Sequence, residues 1–210
     1  MLWNWQLPDW PRFKCDKDRY AKWEREFLLG VGNDSAFLKT LSRSDSDQFI
    51  VEILVAEGLD SSKIEGEILD RQSLQSSIKK HFGLKEEGRK KGKKEGRVGA
   101  LLTDVYQTFD SPLTHEMLFK WHQILFEGSL DVEDIGKYRT HQEPMQIISS
   151  RYGDSKIYFE APPSKIVPKE MNRFLKWFNS SKGSESILVR AALTHLYPLD
   201  ARKLSPSGLR

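Results

Sequence analysis

Residues 61–67, Ser-Ser-Lys-Ile-Glu-Gly-Glu, place a carboxylate directly ahead of a glycine inside a stretch whose spacing predicts helix. Glycine in a helix interior costs about 1 kcal/mol relative to alanine, so Gly66 needs a turn, a cap or a close approach to justify it. On these residues alone Ser62-x-x-Glu65 has the form of a capping box, in which the glutamate reaches back to the cap amide, and this puts a helix start near Ser62.

Other chemistry-bearing residues are sparse. No phosphate-binding Gly-rich loop, dinucleotide fingerprint or His-Glu-x-x-His pattern occurs. His115 and His122 stand two helical turns apart, about 10 Å, too far to share a metal ion. His122 also falls in the stripe Leu118, Trp121, His122, Leu125, where a packed core histidine is expected. Cys15 is the only cysteine, so the chain has no internal disulfide and no thiolate metal cluster. Spacing alone assigns no catalytic residue and no metal ligand.

The elements that would position these residues are mainly helical. Helices are expected over Asp16–Gly30, residues 46–59, Ser62–Phe82, Val98–Phe109, His115–Phe126, Pro168–Phe178 and from Glu185 to Tyr197. Ahead of them, Trp3, Trp5 and Trp10, with Pro8 and Pro11, suggest an extended arm held by aromatic anchors. Between Tyr138 and Pro162 the period changes. Met145–Ser149 and Lys156–Glu160 are short β-rich runs around Tyr152-Gly153-Asp154, a hairpin pattern, and Pro162-Pro163 closes it.

Composition limits the partners. The net charge of +3 is misleading, because residues 85–97 hold seven Lys/Arg against three Glu and leave the remainder at −1. That run is punctuated by glycine and has no interleaved aromatics for base stacking, so it reads as a charged linker and nucleic acid is not the expected partner. No apolar run approaches the ~20 residues of a membrane span, and the N-terminus lacks the pattern of a signal peptide. A reducing, cytoplasmic setting is the expectation, with no membrane partner.

The order of the pieces is the strongest signal. A Trp-x-Trp-Gln arm (Trp3, Trp5, Gln6) precedes SSKIEG, a Gly-x-Tyr-Arg turn (Gly136, Tyr138, Arg139), the hairpin, Tyr-Phe-Glu-Ala-Pro-Pro and Arg-Ala-Ala-Leu-Thr-His-Leu-Tyr. Together these resemble a Fic-domain protein of the class that carries its own inhibitory helix N-terminal to the core, over about residues 1–197. The resemblance implies a Fic-like helical bundle with one β-hairpin flap and the transfer of AMP from ATP, with Mg²⁺, to hydroxyl side chains of target proteins. It implies that Ser61, Glu65 and Gly66 form the inhibitory motif, whose glutamate pairs with an arginine that otherwise holds the γ-phosphate. It also implies that Met145, Gln146, Ile147 and Ile148 form the flap edge that binds the target by strand addition. On this basis the chain divides into an N-terminal module with the inhibitory helix (1–84), the charged linker (85–97), a partial Fic domain (98–197) and an aberrant tail (198–210).

The resemblance breaks where the family's loop, His-Pro-Phe-x-Asp/Glu-Gly-Asn-Gly-Arg-x-x-Arg, should follow. The chain reads Tyr197-Pro198-Leu199-Asp200-Ala201-Arg202 instead. His195 lies before that point and is expected to pack, not to act as base. The expectation is a fold incomplete at the C-terminus through frameshift or truncation, marginally stable, catalytically inactive and without the groups that would bind ATP and Mg²⁺. The alternative is a non-catalytic module acting in trans on a Fic enzyme or its target. Self-association is the remaining possible partnership.

Overall fold

The computed structural model describes residues 2–13, 15–85, 92–130, 132–151 and 154–199. These form α1 (Lys17–Leu38), α2 (Arg43–Ile64), α3 (Arg71–His81), α4 (Lys93–Thr108), α5 (His115–Phe126), a hairpin of β1 (Gln146–Arg151) and β2 (Asp154–Glu160), α6 (Val167–Ser180) and α7 (Ile187–Leu199). The fold is mainly helical with one small antiparallel hairpin, as expected.

Local chemistry sets most helix starts. Asp16, Ser42, Asp70 and Thr114 each accept a backbone N–H in the first turn of α1, α2, α3 and α5, which satisfies donors that a helix start leaves orphaned. The ends depart from expectation in four places. α1 runs through Gly30 and Gly32 to Leu38, because these glycines are not among those at positive φ and weaken the helix without stopping it. The helix expected over Ser62–Phe82 is two, α2 ending at Ile64 and α3 opening at Arg71.

The charged run is only partly a linker. Lys93–Arg97 form the start of α4, because folded neighbours hold them: Lys94 pairs with Glu67, Glu95 accepts from the Asp70 amide at 3.1 Å, and Arg97 donates to the Glu127 carbonyl. Residues 86–91 lie outside the described residues, as do 200–210 of the expected tail. α7 continues through Pro198 to Leu199. A proline in the last turn removes a single donor, and Tyr197, 5.1 Å from the Trp10 ring and 5.3 Å from Phe174, secures that turn.

Two apolar clusters result. α2, α3 and α4 enclose Val51, Val55, Leu69, Leu74 and Ile78. Two glycines let these helices close: a Cβ on Gly58 would sit 2.7 Å from Leu102, and one on Gly99 2.5 Å from the Ser77 hydroxyl. The second cluster joins Leu113 to Val167, Met171, Phe174 and Leu175 of α6 and Tyr197 of α7, with Trp10, Met117, Leu118 and Trp121 packed against it. Asp104 of α4 links the two, accepting from the Trp121 indole at 2.8 Å and from Lys120. Burial acts to raise the Asp104 carboxyl, but those bonds and the lysine charge hold it below the usual carboxylate range.

The first dozen residues are held by their aromatic anchors as expected, but the arm is not extended: it coils into a 3-10 turn at Asn4–Gln6 and further turns, because the backbone amides of Gln6, Leu7 and Trp10 bond carbonyls three residues back. Trp3 meets Phe159 edge-on at 5.8 Å, the Trp5 indole donates to the Glu160 carbonyl at 2.8 Å, and the Trp10 indole donates to Glu170 at 3.0 Å. α1 is exposed along most of its length, including Trp23 at 61%. It is tied down by Glu24, which accepts from the Ile187 amide at 3.0 Å, and by Phe37 against Phe49.

These contacts give glycine substitutions opposite signs. Gly99→Ala forces a methyl group into buried Ser77 and lowers stability by about 1–2 kcal/mol despite its better helix propensity. Gly30→Ala meets open space and raises it by about 0.5–1 kcal/mol. Urea denaturation of the two variants checks both signs.

Candidate functional site

SSKIEGE lies at the end of a helix, not at a start. Glu65 is the C-cap of α2, and Gly66 follows at φ +79°. The Gly66 amide donates to the Lys63 carbonyl at 3.1 Å and the Glu67 amide to the Ser62 carbonyl at 2.8 Å, the paired bonds of a Schellman motif. Ser62 is therefore no N-cap, and the capping-box reading is overturned. Close approach does not explain Gly66 either, since a Cβ there would meet nothing within 4 Å. The left-handed backbone is the reason for glycine.

This geometry fixes the expected inhibitory residues in place. Ser61 donates from its hydroxyl to Glu57 at 2.6 Å within α2. The Glu67–Lys94 pair and the Asp70–Glu95 bond stitch the corner between α2 and α3 to the start of α4. Glu65 is exposed, and among the described residues its carboxylate meets no cation. Its placement opposes the helix macrodipole, whose C-terminal end is negative and favours cations.

The hairpin is on the other cluster. Its register pairs Gln146 with Glu160, Ile147 with Phe159 and Ile148 with Ile157, with an irregularity between Ile147 and Ile148. Met145 precedes β1, where its carbonyl accepts from the Ala161 amide at 2.8 Å. Gln146 donates to the Glu160 carboxylate at 2.7 Å. Ile148, Ile157 and Tyr158 are exposed. With two strands in the sheet, β1 keeps one backbone edge unpaired among the described residues. Both strands reach further than the expected runs, to Arg151 and from Asp154, while Tyr152 and Gly153 lie outside the described residues.

The Gly-x-Tyr-Arg turn carries the chain into this hairpin, and each named residue is tied down. Gly136, at φ +71°, donates its amide to His122 Nδ1 at 3.0 Å, and a Cβ there would strike Gln123. His122 is thus a satisfied, partly buried histidine, and burial lowers its pKa. Tyr138 bonds His115 Nδ1, while His115 Nε2 lies 2.8 Å from Asn172 Oδ1. With Asn172 accepting, the imidazole proton sits on Nε2 and Nδ1 accepts from the tyrosine hydroxyl. Arg139 is half-buried and donates to the Pro162 carbonyl beyond the hairpin. The motif is a clamp joining α5, α6 and the base of the hairpin.

No hydrogen bond or ion pair among the described residues joins the Glu65 corner to the hairpin. His195 is exposed on α7, which corrects the expectation that it packs. Glu170 and Asn172 were not singled out by sequence, although an acid two residues after Pro168 carries the signature of a helix first turn. Among the described residues no group of three or more His, Cys, Asp or Glu could hold a metal ion, and no helix is long and apolar enough to cross a membrane.

Residues 3–84, which take in the arm, α1 to α3 and the Glu65 corner, match a family described as a domain of unknown function, DUF4172. Residues 112–197, from α5 through the hairpin to Tyr197, match the Fic/DOC family. No curated protein matches the chain.

The clamp has a pH signature. Burial and the Glu116 charge push the Tyr138 phenol up to about 12, so the folded protein holds this proton more tightly than the unfolded chain. The resulting stability is complete below pH ~10 and is lost as pH rises through about 12. Tyr138→Phe costs about 1 kcal/mol at pH 7 through the His115 acceptor it strands. The gap from wild type narrows above pH ~10, which urea melts at pH 7 and pH 11 measure.

Proposed function

With a Fic/DOC family domain over residues 112–197 and DUF4172 ahead of it, we propose that the chain is a Fic-type module of protein AMP transfer. Glu65 is its inhibitory carboxylate, set by Ser61 and Gly66. The edge at Met145, Gln146, Ile147 and Ile148 receives an extended segment of a target protein. The observation that carries this reading is Glu65 itself: an exposed acid that meets no cation among the described residues, at the helix end where a local role would favour a base. A carboxylate there is available to an arginine, and pairing with it denies that arginine to phosphate. The unpaired edge of β1 supports the target role, since strand addition needs free backbone donors and acceptors.

The nucleotide fits less well. ATP with Mg²⁺ supplies the AMP in this chemistry, but the 210 residues contain no Gly-Asn-Gly loop to cradle its phosphates. No step of transfer is assigned to this chain's side chains, and the polypeptide is proposed to be non-catalytic as it stands. The same exposed carboxylate, without a cation beside it among the described residues, favours one further reading, in which the chain acts in trans on the arginine of an intact Fic enzyme.

Incubation with ATP labelled at the α-phosphate and Mg²⁺ is expected to leave both the chain and lysate proteins unlabelled; labelling by this polypeptide overturns the non-catalytic reading. Added to a Fic enzyme stripped of its own inhibitory helix, the chain is expected to slow labelling. Glu65→Gly abolishes that effect and shifts stability by no more than about 0.5 kcal/mol. Equal inhibition by both chains removes Glu65 from the role.

A further inference from the structure

We propose that Trp3 and Trp5 are positioning residues of the hairpin, and that the arm they belong to sets the pose of the β1 edge. The functional meaning rests on the reading of that edge as a strand acceptor; the structural claim stands apart from it.

A two-stranded hairpin is marginal in water unless something packs on it. Among the described residues, the bonds at its base, Ala161 to Met145, Arg139 to Pro162 and the Ser164 hydroxyl to the His141 carbonyl, close its two flanks on each other. They fix where the strands come together, not the angle at which they stand. The arm supplies that restraint. Trp3 lies edge-on to Phe159 at 5.8 Å, with ring planes 67° apart, and the Trp5 indole donates to the Glu160 carbonyl at 2.8 Å. Phe159 and Glu160 are the residues that pair with Ile147 and Gln146, so the arm grips the strand directly behind the proposed acceptor edge. The break in register falls immediately beyond, between Ile147 and Ile148, where a bulge re-aims the side chains that follow.

The arm is built to transmit restraint. Gln6 donates to the Trp3 carbonyl at 2.9 Å, Leu7 to Asn4 at 3.1 Å and Trp10 to Leu7 at 3.1 Å, a run of linked turns. The Gln6 side chain closes the first turn by accepting from the Trp3 amide at 2.9 Å. At its inner end Trp10 is bonded to Glu170 and lies against Tyr197. One end is therefore fixed in the α6–α7 core and the other on β2. Holding an edge in its bound pose lowers the ordering cost of adding a strand to it.

Amide hydrogen exchange on the full chain tests this. Trp5→Phe keeps a ring and loses the donor, Trp3→Ala loses the edge contact, and Trp3→Phe retains it. The first two are expected to speed exchange of the β1 and β2 amides about tenfold, with Trp3→Phe close to wild type and α2 and α6 unchanged. Hairpin exchange that stays at the wild-type rate in both Trp5→Phe and Trp3→Ala overturns the proposal. Exchange that rises equally across α5 to α7 overturns it too, because the arm would then be a general structural element. The measurement needs no target protein, so either failure leaves the strand-acceptor reading standing.

Discussion

The Glu170 carboxylate, in the first turn of α6, accepts from the Trp10 indole at 3.0 Å and from the Tyr197 hydroxyl at 3.2 Å, with Arg173 beside it at 3.4 Å. The arm, α6 and α7 meet at this one side chain, which is only 17% exposed. Hydrogen bonds to an ionised acceptor are stronger than neutral ones, and a helix start is a favourable place for the negative charge. Burial and the Glu170 charge keep the Tyr197 phenol protonated far above its usual range, so the donor stays a donor. The aromatic contacts among Trp10, Phe174 and Tyr197 flank the junction. The end of α7 and the inner anchor of the arm both depend on it.

From that junction the molecule divides by core. The α2–α3–α4 cluster carries Glu65 on a corner set by backbone geometry, and the α5–α6–α7 cluster carries the hairpin on a clamp set by side chains. Asp104 and Trp121 tie α4 to α5. The two candidate elements thus have independent supports. A substitution at Gly66 changes where the carboxylate points without touching the hairpin. One at Tyr138 or Arg139 acts on the loop that feeds the hairpin and leaves the corner as it was.

Much of this was legible in the sequence, for identifiable reasons. Apolar spacing marked the cores of the helices, alternation with turn residues marked the hairpin, and clustered tryptophans with prolines marked the arm. The mistakes fell at boundaries where two local signals compete. Ser-x-x-Glu reads as a helix start and Glu-Gly as a helix end, and the glycine wins because only its left-handed backbone allows the Schellman bonds. The end expected at Gly30 is the opposite error, since no turn geometry exists there and the helix runs on to Leu38. The start of α4 was hidden in a charged run, since what orders Lys94, Glu95 and Arg97 are partners distant in sequence, Glu67, Asp70 and Glu127. The Glu170 junction escaped for the same reason: nothing adjacent to it foretells Trp10 and Tyr197.

The arm also imposes an order on folding. Trp5 and Glu160 lie 155 residues apart, and Trp10 and Glu170 160 apart. Closing a loop of that length in a disordered chain costs about 4–5 kcal/mol of entropy, which these few contacts do not recover alone. The chain between must therefore be compact first. Contacts among α2, α3 and α4 join elements adjacent in sequence and cost less loop entropy, whereas the seat of the arm exists only once β2, α6 and α7 are in place. Until those elements form, Trp5 and Trp10 lack the partners that hold them, which follow 155 and 160 residues later in the chain, and such exposed aromatic side chains are a site for chaperones or for intermolecular contact.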